Sequence, residues 1–354
     1  MTIAPGVESA TLPPLDYTRT VDRLLVHRDA LGEVFLTDLQ KIDEDHYAAA
    51  AQLPRSHAYY GDHLLRPSAY DPLLVLESCR QAALAGAHRF YGVPADSKFI
   101  LTQLRLRLHR PQIFLVGEAP FALAMRIRIV DRRERDGRTT GLDYEIDLVD
   151  SHDVVIGQAA IGLRFKTPTG YLTLRLNNRH GLALPSSSTY PVSSPGHPVP
   201  PHLVGRHNPE NVVLVDAAVA DGSAHALLRI PAAHASMFDH PQDHLPGMVI
   251  TEGARQLALF AALDVEGMST SKTLVTEMDV VFSRFGELED DTVLTAWVDP
   301  FLGNTPRGDS YTLGGPLPAE DTWALPQRLP VRVEATQKGE ALCTYSLVLA
   351  RISV

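Results

Sequence analysis

The chain contains 354 residues, of which 45% are hydrophobic and 21% are charged. This is ordinary globular composition, which excludes a disordered chain, a coiled coil and a collagen-like fibre. The formal net charge of −10 argues against DNA or RNA as a partner. We expect no membrane span, because no run of about 18 apolar residues occurs, and no secretory signal in residues 1–20. With only Cys79 and Cys343, we expect a cytoplasmic protein with reduced thiols.

The first half predicts one helix within a series of strands. After a flexible N-terminus, residues 1–20, short strands are predicted at residues 30–38 and 47–53. Asp71-Pro72 is a favourable N-cap and first-turn pair, which predicts a helix over residues 72–91. Apolar and polar residues then alternate with period two, and this alternation predicts further strands. They lie at residues 104–108, 121–129, 142–148 and 154–165.

The second half has the same order of elements after a linker rich in Pro and Ser, residues 167–203, of which 185–201 show no apolar period. Pro- and Gly-rich residues 300–330 interrupt this half and predict a long loop. A helix is predicted over residues 246–263. The predicted strands are residues 212–215, 224–230, 273–285, 292–298, 331–336 and 342–350.

Short motifs recur between the two halves in the same order. Val-His-Arg at residues 26–28 recurs 178 residues later as Val-Gly-Arg at residues 204–206. Glu-Ser-Cys-Arg-Gln at residues 77–81 recurs 175 residues later as Glu-Gly-Ala-Arg-Gln at residues 252–256. Ordered matches with a slowly drifting offset indicate that one domain has been duplicated. We call residues 21–166 copy 1 and residues 204–354 copy 2.

Each copy predicts a curled antiparallel sheet around one central helix, the hotdog arrangement. Small residues along both helices, such as Ala82, Gly86, Gly253 and Ala258, allow strands to approach the helix from several sides. Two such units are expected to pair edge to edge, because pairing protects their edge strands. The predicted fold is therefore α+β, a tandem (double) hotdog that forms a pseudo-dimer.

Both helices carry Glu-x-x-Arg-Gln near their start, a spacing that places the three polar groups on one helical face. A carboxylate and a guanidinium on an otherwise apolar helix should be paired or functional. For a single copy, an intrahelical ion pair is the favoured interpretation, because functional motifs are rare. The functional alternative stays open. The residues are Glu77, Arg80 and Gln81 in copy 1, and Glu252, Arg255 and Gln256 in copy 2.

The segment before the second helix adds further candidates. His240, Asp243 and His244 precede Pro246-Gly247, a helix start whose free N–H groups suit an oxyanion or a phosphate. Many of the 15 histidines are expected to be incidental. The His-x-x-x-His spacing also occurs in metal sites, but here it precedes a Pro-Gly break and is not expected to share one helical face. We therefore expect no metal.

These motifs resemble the A-factor biosynthesis (AfsA-type) hotdog family. The resemblance rests on Arg-x-His at residues 55–57, Asp-Pro-Leu-Leu-x-x-Glu-x-x-Arg-Gln at residues 71–81 and Asp-His-x-Pro-Gly-Met-Val-x-x-Glu-x-x-Arg-Gln at residues 243–256. It implies a synthase that transfers a β-ketoacyl group from acyl carrier protein to the hydroxyl of dihydroxyacetone phosphate. The products lead to γ-butyrolactone, butenolide or furan signalling molecules. No cofactor, nucleic acid or membrane is implied, and we expect a monomeric pseudo-dimer or a homodimer.

The resemblance implies acid/base and anion-binding roles for Glu77, Arg80, Glu252 and Arg255. The chemistry also needs a general base, for which a buried Glu with a raised pKa is expected, and oxyanion donors near the second helix start. Because Ala69 stands in the place of His244, the second site is predicted to transfer the acyl group. The predicted catalytic residues are Glu252, Glu77 and His244, and the predicted substrate-binding residues are Arg255, Arg80, Gln256, Gly247, Met248 and His240.

Two other functions stay open at this point. A hydroxyacyl-thioester dehydratase or a thioesterase on the same fold would use the His and Glu groups without a phosphate, although the Arg beside each Glu argues mildly for an anionic co-substrate. A non-catalytic module that binds an acyl ligand would need neither Glu252 nor an open helix start.

Overall fold

The computed structural model describes residues 12–190, 196–298 and 328–352. Its helices are α1 (Pro72–Phe90), α2 (Pro168–Asn178) and α3 (Gly247–Glu266). The strands of copy 1 are β1 (Leu36–Lys41), β2 (His46–Leu53), β3 (Lys98–Leu108), β4 (Phe121–Arg135), β5 (Arg138–Val149) and β6 (Val155–Lys166). Those of copy 2 are β7 (Leu214–Ala220), β8 (Ser223–Leu228), β9 (Thr273–Phe282), β10 (Thr292–Val298), β11 (Arg328–Gln337) and β12 (Glu340–Arg351).

Within the described residues, twelve strands form one antiparallel sheet in the order β1-β2-β4-β5-β6-β3-β9-β12-β11-β10-β8-β7. Each copy contributes six neighbouring strands, and β3 joins the copies by pairing with β9, from Gln103 opposite Val281 to Arg107 opposite Glu277. One long buried helix packs in each half. The predicted tandem hotdog fold is thereby confirmed.

Small residues allow the central helices to lie directly against the sheet. A Cβ atom at Gly253 would lie 2.6 Å from Leu228 Cδ1 and 2.9 Å from Leu294 Cδ1, so a larger residue would push α3 away from β8 and β10. At the same depth in copy 1, the Tyr47 hydroxyl donates a hydrogen bond to the Ala82 carbonyl at 3.0 Å. Close packing on several sides explains why most residues of both helices are buried.

The segment between the copies contains a helix that its Pro- and Ser-rich composition did not predict. In α2, the Thr167 side chain accepts a hydrogen bond from the Gly170 N–H at 3.1 Å, and Pro168 occupies the first turn. Only Tyr171 and Arg175 of this helix are buried. A helix with two inward residues, one of them charged, has no apolar stripe to reveal it.

Several predicted boundaries differ from the structure. The first predicted strand, residues 30–38, opens instead with a 3₁₀ turn at Leu31–Glu33, and the strand predicted to reach residue 285 ends at Phe282. Of the predicted loop at residues 300–330, residues 300–327 lie outside the described residues, as do residues 1–11 of the N-terminus. Cys79 and Cys343 are free and buried. No helix in the described ranges is long and apolar enough to cross a membrane.

Candidate active site

A buried ion cluster surrounds Glu77 on α1. Its carboxylate accepts hydrogen bonds from Arg28 Nη2 at 2.6 Å, from Arg80 Nε and Nη2 at 2.7 and 2.8 Å, and from Gln81 Nε2 at 3.0 Å. Burial alone would raise the pKa of Glu77, but Arg28 and Arg80 lower the pKa to about 2. Glu77 is therefore ionised at neutral pH and is a very weak base.

Glu252 on α3 has the same surroundings. Its carboxylate accepts hydrogen bonds from Arg206 Nε and Nη2 at 3.1 and 2.8 Å, from Arg255 Nε at 2.9 Å, and from Gln256. Burial raises the pKa of Glu252, and the two arginines more than reverse this effect, so that the pKa is about 2. The expectation of a buried glutamate with a raised pKa is wrong for both copies, because two guanidinium groups outweigh desolvation.

Arg28 and Arg206 were not selected as functional residues from the sequence. Each lies more than forty residues from the glutamate it binds, with separations of 49 and 46, so no local spacing connects them. The signal available was the duplication itself, since both belong to the tripeptide that recurs between the copies. Gln256, predicted to bind substrate, instead fastens α3 to the chain, because its amide accepts from Val213 N–H and donates to the Asn211 carbonyl.

A cavity of about 830 Å³ lies between the two copies. Its lining brings together five of the predicted residues, and adds an arginine of the Glu77 cluster. Those five are Arg80 from copy 1, and His240, His244, Gly247 and Met248 from copy 2, with Arg28 as the addition.

The matching space beside the Glu252 cluster is nearly closed. It measures about 10 Å³ and is lined by His63, Asp71 and Arg255, which is room for one water molecule and not for a phosphorylated sugar. Glu252 lines neither of these two cavities, so the structure does not bring it together with His244 in the open one. The open cavity is lined by arginines of the Glu77 ion cluster in copy 1 and by the first residues of α3 in copy 2.

A residue difference at one matching position gives the two ion clusters different electrostatic surroundings. Arg206 Nη2 lies 3.9 Å from Asp71 Oδ2, and the charge of Asp71 also acts on Arg255. Pro246 stands at the position in copy 2 that matches Asp71, so Arg80 faces no such carboxylate there. The Arg80 side chain is 19% exposed, against 7% for Arg255, and its positive charge is the one open to an anionic ligand.

His244 is held by a carboxylate. Its Nδ1 lies 2.6 Å from Asp243 Oδ1, and the Tyr171 hydroxyl donates to the same carboxylate at 2.8 Å. Burial raises the pKa of Asp243, whereas His244, Tyr171 and the nearby Arg175 lower the pKa to about 2. An ionised Asp243 keeps a proton on Nδ1 of His244, which leaves Nε2 as the nitrogen able to accept a proton.

The second predicted histidine is less available for proton transfer. His240 Nε2 lies 2.7 Å from the Gln242 amide nitrogen, which is a donor, and Nδ1 lies 3.4 Å from Asp239 Oδ2. Both ring nitrogens of His240 therefore have partners within the same loop. Of these two histidines, only His244 has one ring nitrogen bonded to a carboxylate and the other available to accept a proton.

The start of α3 carries backbone donors at the cavity. In α1, the Asp71 side chain accepts a hydrogen bond from Leu73 N–H at 2.8 Å, but the N-cap of α3 is Pro246, which makes no such side-chain bond. The matching N–H in α3, that of Met248, thus lacks this acceptor. Gly247 also packs tightly, since a Cβ there would lie 3.2 Å from Leu101 and Phe282.

A second cavity of about 1080 Å³ adjoins the first at Gly247 and His244, which line both. Its lining comes from α2, α3, β3, the ends of β9 and β12 and the segments that follow α2 and β9, and it contains charged as well as apolar side chains. The apolar ones include Leu174, Ile250, Phe282, Phe285 and Leu342. Among the described ranges, no group of three or more His, Cys, Asp or Glu residues is placed to hold a metal ion.

Comparisons with known proteins agree on one family. The profile of the A-factor biosynthesis hotdog domain (AfsA) matches residues 10–166 and 188–307. A 2-oxo-3-(phosphooxy)propyl 3-oxoalkanoate synthase of Streptomyces virginiae is 35% identical over 82% of this chain and 91% of its own length. The protein of the same name from Streptomyces griseus is 30% identical over 78% of this chain and 85% of its own.

Among solved structures, the chain is similar to two domains of low sequence identity. A pyran synthase domain from module nine of the sorangicin pathway has a TM-score of 0.49 at 12% identity, covering 90% of this chain and 98% of that domain. The dehydratase domain of the polyketide PpsC from Mycobacterium tuberculosis has a TM-score of 0.47 at 15% identity, covering 92% and 100%.

Proposed function

The chain belongs to the A-factor biosynthesis hotdog family, and from this premise we propose that it is an acyltransferase that joins a β-ketoacyl group to dihydroxyacetone phosphate. The donor is a β-ketoacyl thioester of acyl carrier protein. The product is a 2-oxo-3-(phosphooxy)propyl 3-oxoalkanoate, the compound in the names of the relatives. Such an ester is a precursor of γ-butyrolactone-type signalling molecules.

The observation that carries this proposal is the composition of the open cavity. It combines a partly exposed arginine, a histidine supported by a carboxylate, and a helix start with unused N–H donors, through Arg80, His244 and Met248. Transfer of an acyl group to a phosphorylated alcohol needs these three functions: an anion-binding cation, a base, and oxyanion donors.

We assign the phosphate to the copy 1 side of this cavity. Arg80 and Lys98 line it, and Arg28 Nε is buried without a hydrogen-bond acceptor among the described residues. A guanidinium binds phosphate through two parallel N–H donors. This assignment replaces Arg255, whose neighbouring space of about 10 Å³ does not admit the ligand.

The proposed reaction uses His244 as the base. Its Nε2 accepts the proton of the substrate hydroxyl as the oxygen attacks the thioester carbonyl, and Asp243 stabilises the imidazolium that forms. The carbonyl oxygen becomes an oxyanion, which the N–H groups of Gly247 and Met248 stabilise. The intermediate then collapses, the carrier thiolate leaves, and the imidazolium returns its proton to the sulfur.

The second cavity suits the acyl chain. It begins at His244 and Gly247, next to the reacting carbonyl in this scheme, and is lined by charged residues such as Arg179 and Glu287 as well as by an apolar part that includes Leu174, Ile250 and Phe282. An alkyl chain that leaves water for this apolar part gains about 0.8 kcal/mol per buried methylene. The phosphate and the acyl tail would therefore lie on opposite sides of the His244 imidazole.

Mass spectrometry of purified protein with a β-ketoacyl carrier thioester, with and without dihydroxyacetone phosphate, tests the proposal. We expect the phosphorylated ester and free carrier thiol only when both substrates are present. Free β-keto acid from the donor alone would indicate a thioesterase, and water loss from a hydroxyacyl thioester would indicate a dehydratase. Donor binding without any product would indicate a non-catalytic module.

A further inference from the structure

Copy 1 contains a histidine pair that copy 2 lacks. His27 Nε2 and His88 Nε2 lie 2.8 Å apart, and His88 Nδ1 lies 2.8 Å from the Val93 carbonyl oxygen. The carbonyl requires a proton on Nδ1 of His88, so Nε2 of His88 accepts the hydrogen bond and Nε2 of His27 donates it. The matching residues in copy 2 are Gly205 and Leu263.

His27 occupies a backbone position that suits glycine. Its φ is +54°, and the φ of Gly205 is +77°, so both copies place a left-handed residue here. A side chain at positive φ is costly unless the surroundings or a function compensate for it. His27 therefore adopts a strained backbone conformation, and it does so in the copy whose helix cluster borders the open cavity.

His27 has both basic and acidic side chains around it. It lines the cavity with Arg80, Lys98 and His240, and burial first, then the charges of His88, Arg80, His240 and Lys98, lower the pKa of His27 to about 3. The carboxylates of Asp29, Asp96, Asp239 and Asp243 also line this cavity. Without a ligand His27 is neutral, and a phosphate dianion beside it would reverse the electrostatic balance.

We propose that His27, positioned by His88, is a phosphate-binding residue of this cavity and takes up one proton from solvent when the phosphate dianion enters. The inference rests on the proposed function, because it takes a phosphate monoester as the ligand. The protonated ring keeps its Nε2–H on His88 and donates Nδ1–H to a phosphate oxygen. His27 thereby favours a phosphorylated triose over the unphosphorylated alcohol.

Isothermal titration calorimetry with dihydroxyacetone phosphate tests this assignment. Titrations near neutral pH in several phosphate-free buffers of different ionisation enthalpy count the protons taken up on binding. The ligand is already mostly the dianion above about pH 7, since its second pKa is about 6, so uptake reports on the protein. We expect the wild-type protein to take up a proton as it binds.

The variant His27→Gly reproduces the residue of copy 2 and removes the strain at positive φ. We expect its affinity for dihydroxyacetone phosphate to fall about tenfold, its proton uptake to disappear and its Tm to stay or rise. His88→Leu, which copies Leu263, should also weaken binding. His225→Gln is the matched control, because His225 hydrogen-bonds Ser223 and Thr295 on β8 and β10, and its binding should match the wild type.

The outcomes separate this inference from the proposed function. Wild-type protein that does not bind dihydroxyacetone phosphate would overturn both. Wild-type protein that binds it, together with a His27→Gly variant that keeps the affinity and the proton uptake, would overturn the inference and leave the proposed function intact. A His27→Gly variant with a lower Tm and unchanged affinity would make the histidine pair purely structural, which also overturns the inference.

Discussion

At the scale of single residues, the glutamates and His244 differ in how many of their polar atoms are already used. Glu77 and Glu252 each accept hydrogen bonds from two arginines and a glutamine, which leaves a carboxylate that holds the fold and is difficult to protonate. His244 is bound at Nδ1 by one carboxylate. The base is therefore assigned to the histidine.

Replacing the histidine should remove the base and leave the fold. We expect His244→Gln to lower kcat by about 100- to 10,000-fold with little change in the KM for dihydroxyacetone phosphate, as measured by initial rates of ester formation. His240→Gln is the control, and it should reduce the rate far less because both its nitrogens are engaged. Turnover by His244→Gln at the wild-type rate would show that the base lies elsewhere.

Replacing Glu252 should affect stability more than catalysis. In Glu252→Gln, Arg206 and Arg255 stay buried without their carboxylate, and breaking such a pair costs about 3–5 kcal/mol. Urea unfolding should show this loss, while the folded fraction keeps its turnover. Normal stability together with lost turnover would return a catalytic role to Glu252.

The same variant should change how stability depends on pH. The pKa of Glu252 falls from an ordinary 4.5 to about 2 on folding, so its contribution is present in full above about pH 4.5 and is lost as the pH falls towards 2. The free energy of unfolding of the wild type should therefore decrease across this window. The decrease should be smaller in Glu252→Gln, and an equal decrease in both proteins would contradict the assignment.

At the scale of elements, α2 supplies the support for the proposed base although its sequence predicted only a linker. Its two buried residues lie one turn apart and both reach the loop before α3. Tyr171 donates to the Asp243 carboxylate, and Arg175 Nη2 donates to the Asp243 carbonyl at 3.0 Å. Arg175 also pairs with Glu287 at 2.7 Å. Helix α2 therefore connects the loop that contains Asp243 with the segment after β9 that contains Glu287.

Removing one of these contacts tests the role of α2. We expect Tyr171→Phe to lower kcat several-fold, because Asp243 loses a donor and orients His244 less well, and to lower stability by about 1 kcal/mol. Parallel rate and unfolding measurements check both effects. Thr173→Ala is the control, since Thr173 is exposed and bonds only within its own helix. Equal rates for the two variants would argue against α2 as a support.

At the scale of the whole molecule, the duplication provides two matching sites and sequence divergence leaves one of them open. The loop of each copy reaches the helix cluster of the other. Arg206 of copy 2 donates to the Tyr59 and Asp62 carbonyls of copy 1, and Asp239 accepts from the Asp29 N–H. A substitution in a loop of one copy therefore alters the site around the central helix of the other copy.

The substitution Pro246→Asp gives copy 2 the residue that copy 1 has at the matching position, Asp71. The new carboxylate should cap α3 as Asp71 caps α1, so stability should stay or rise by up to about 1 kcal/mol. It should also occupy the Met248 N–H and face Arg80, so we expect the KM for dihydroxyacetone phosphate to rise about tenfold and kcat to fall. Steady-state kinetics check this, with Pro241→Asp as a control for added charge at the cavity. Unchanged kinetics would contradict the placement of the phosphate.

Much of the fold could be predicted because local patterns and the duplication agree. Asp71-Pro72 and Pro246-Gly247 mark the starts of α1 and α3 to within one residue, and alternation predicted the start of β4 at Phe121. Both signals are local, since a cap or an alternating pattern needs only neighbouring residues. Helix α2 was missed because its two buried side chains are anchored by contacts with residues about seventy and 112 positions away.

Local sequence patterns were enough to identify the duplication, the central helices and most residue types of the candidate site, including Arg80, His244 and Gly247. Which of these residues meet depends on how the two copies are arranged in space. His244 and Glu252 are close along the chain, but in a paired fold each loop faces the helix of the other copy, and His244 therefore lies with Arg80. The protonation of Glu252 was decided in the same way, because it depends on Arg206, which is brought to it only by folding.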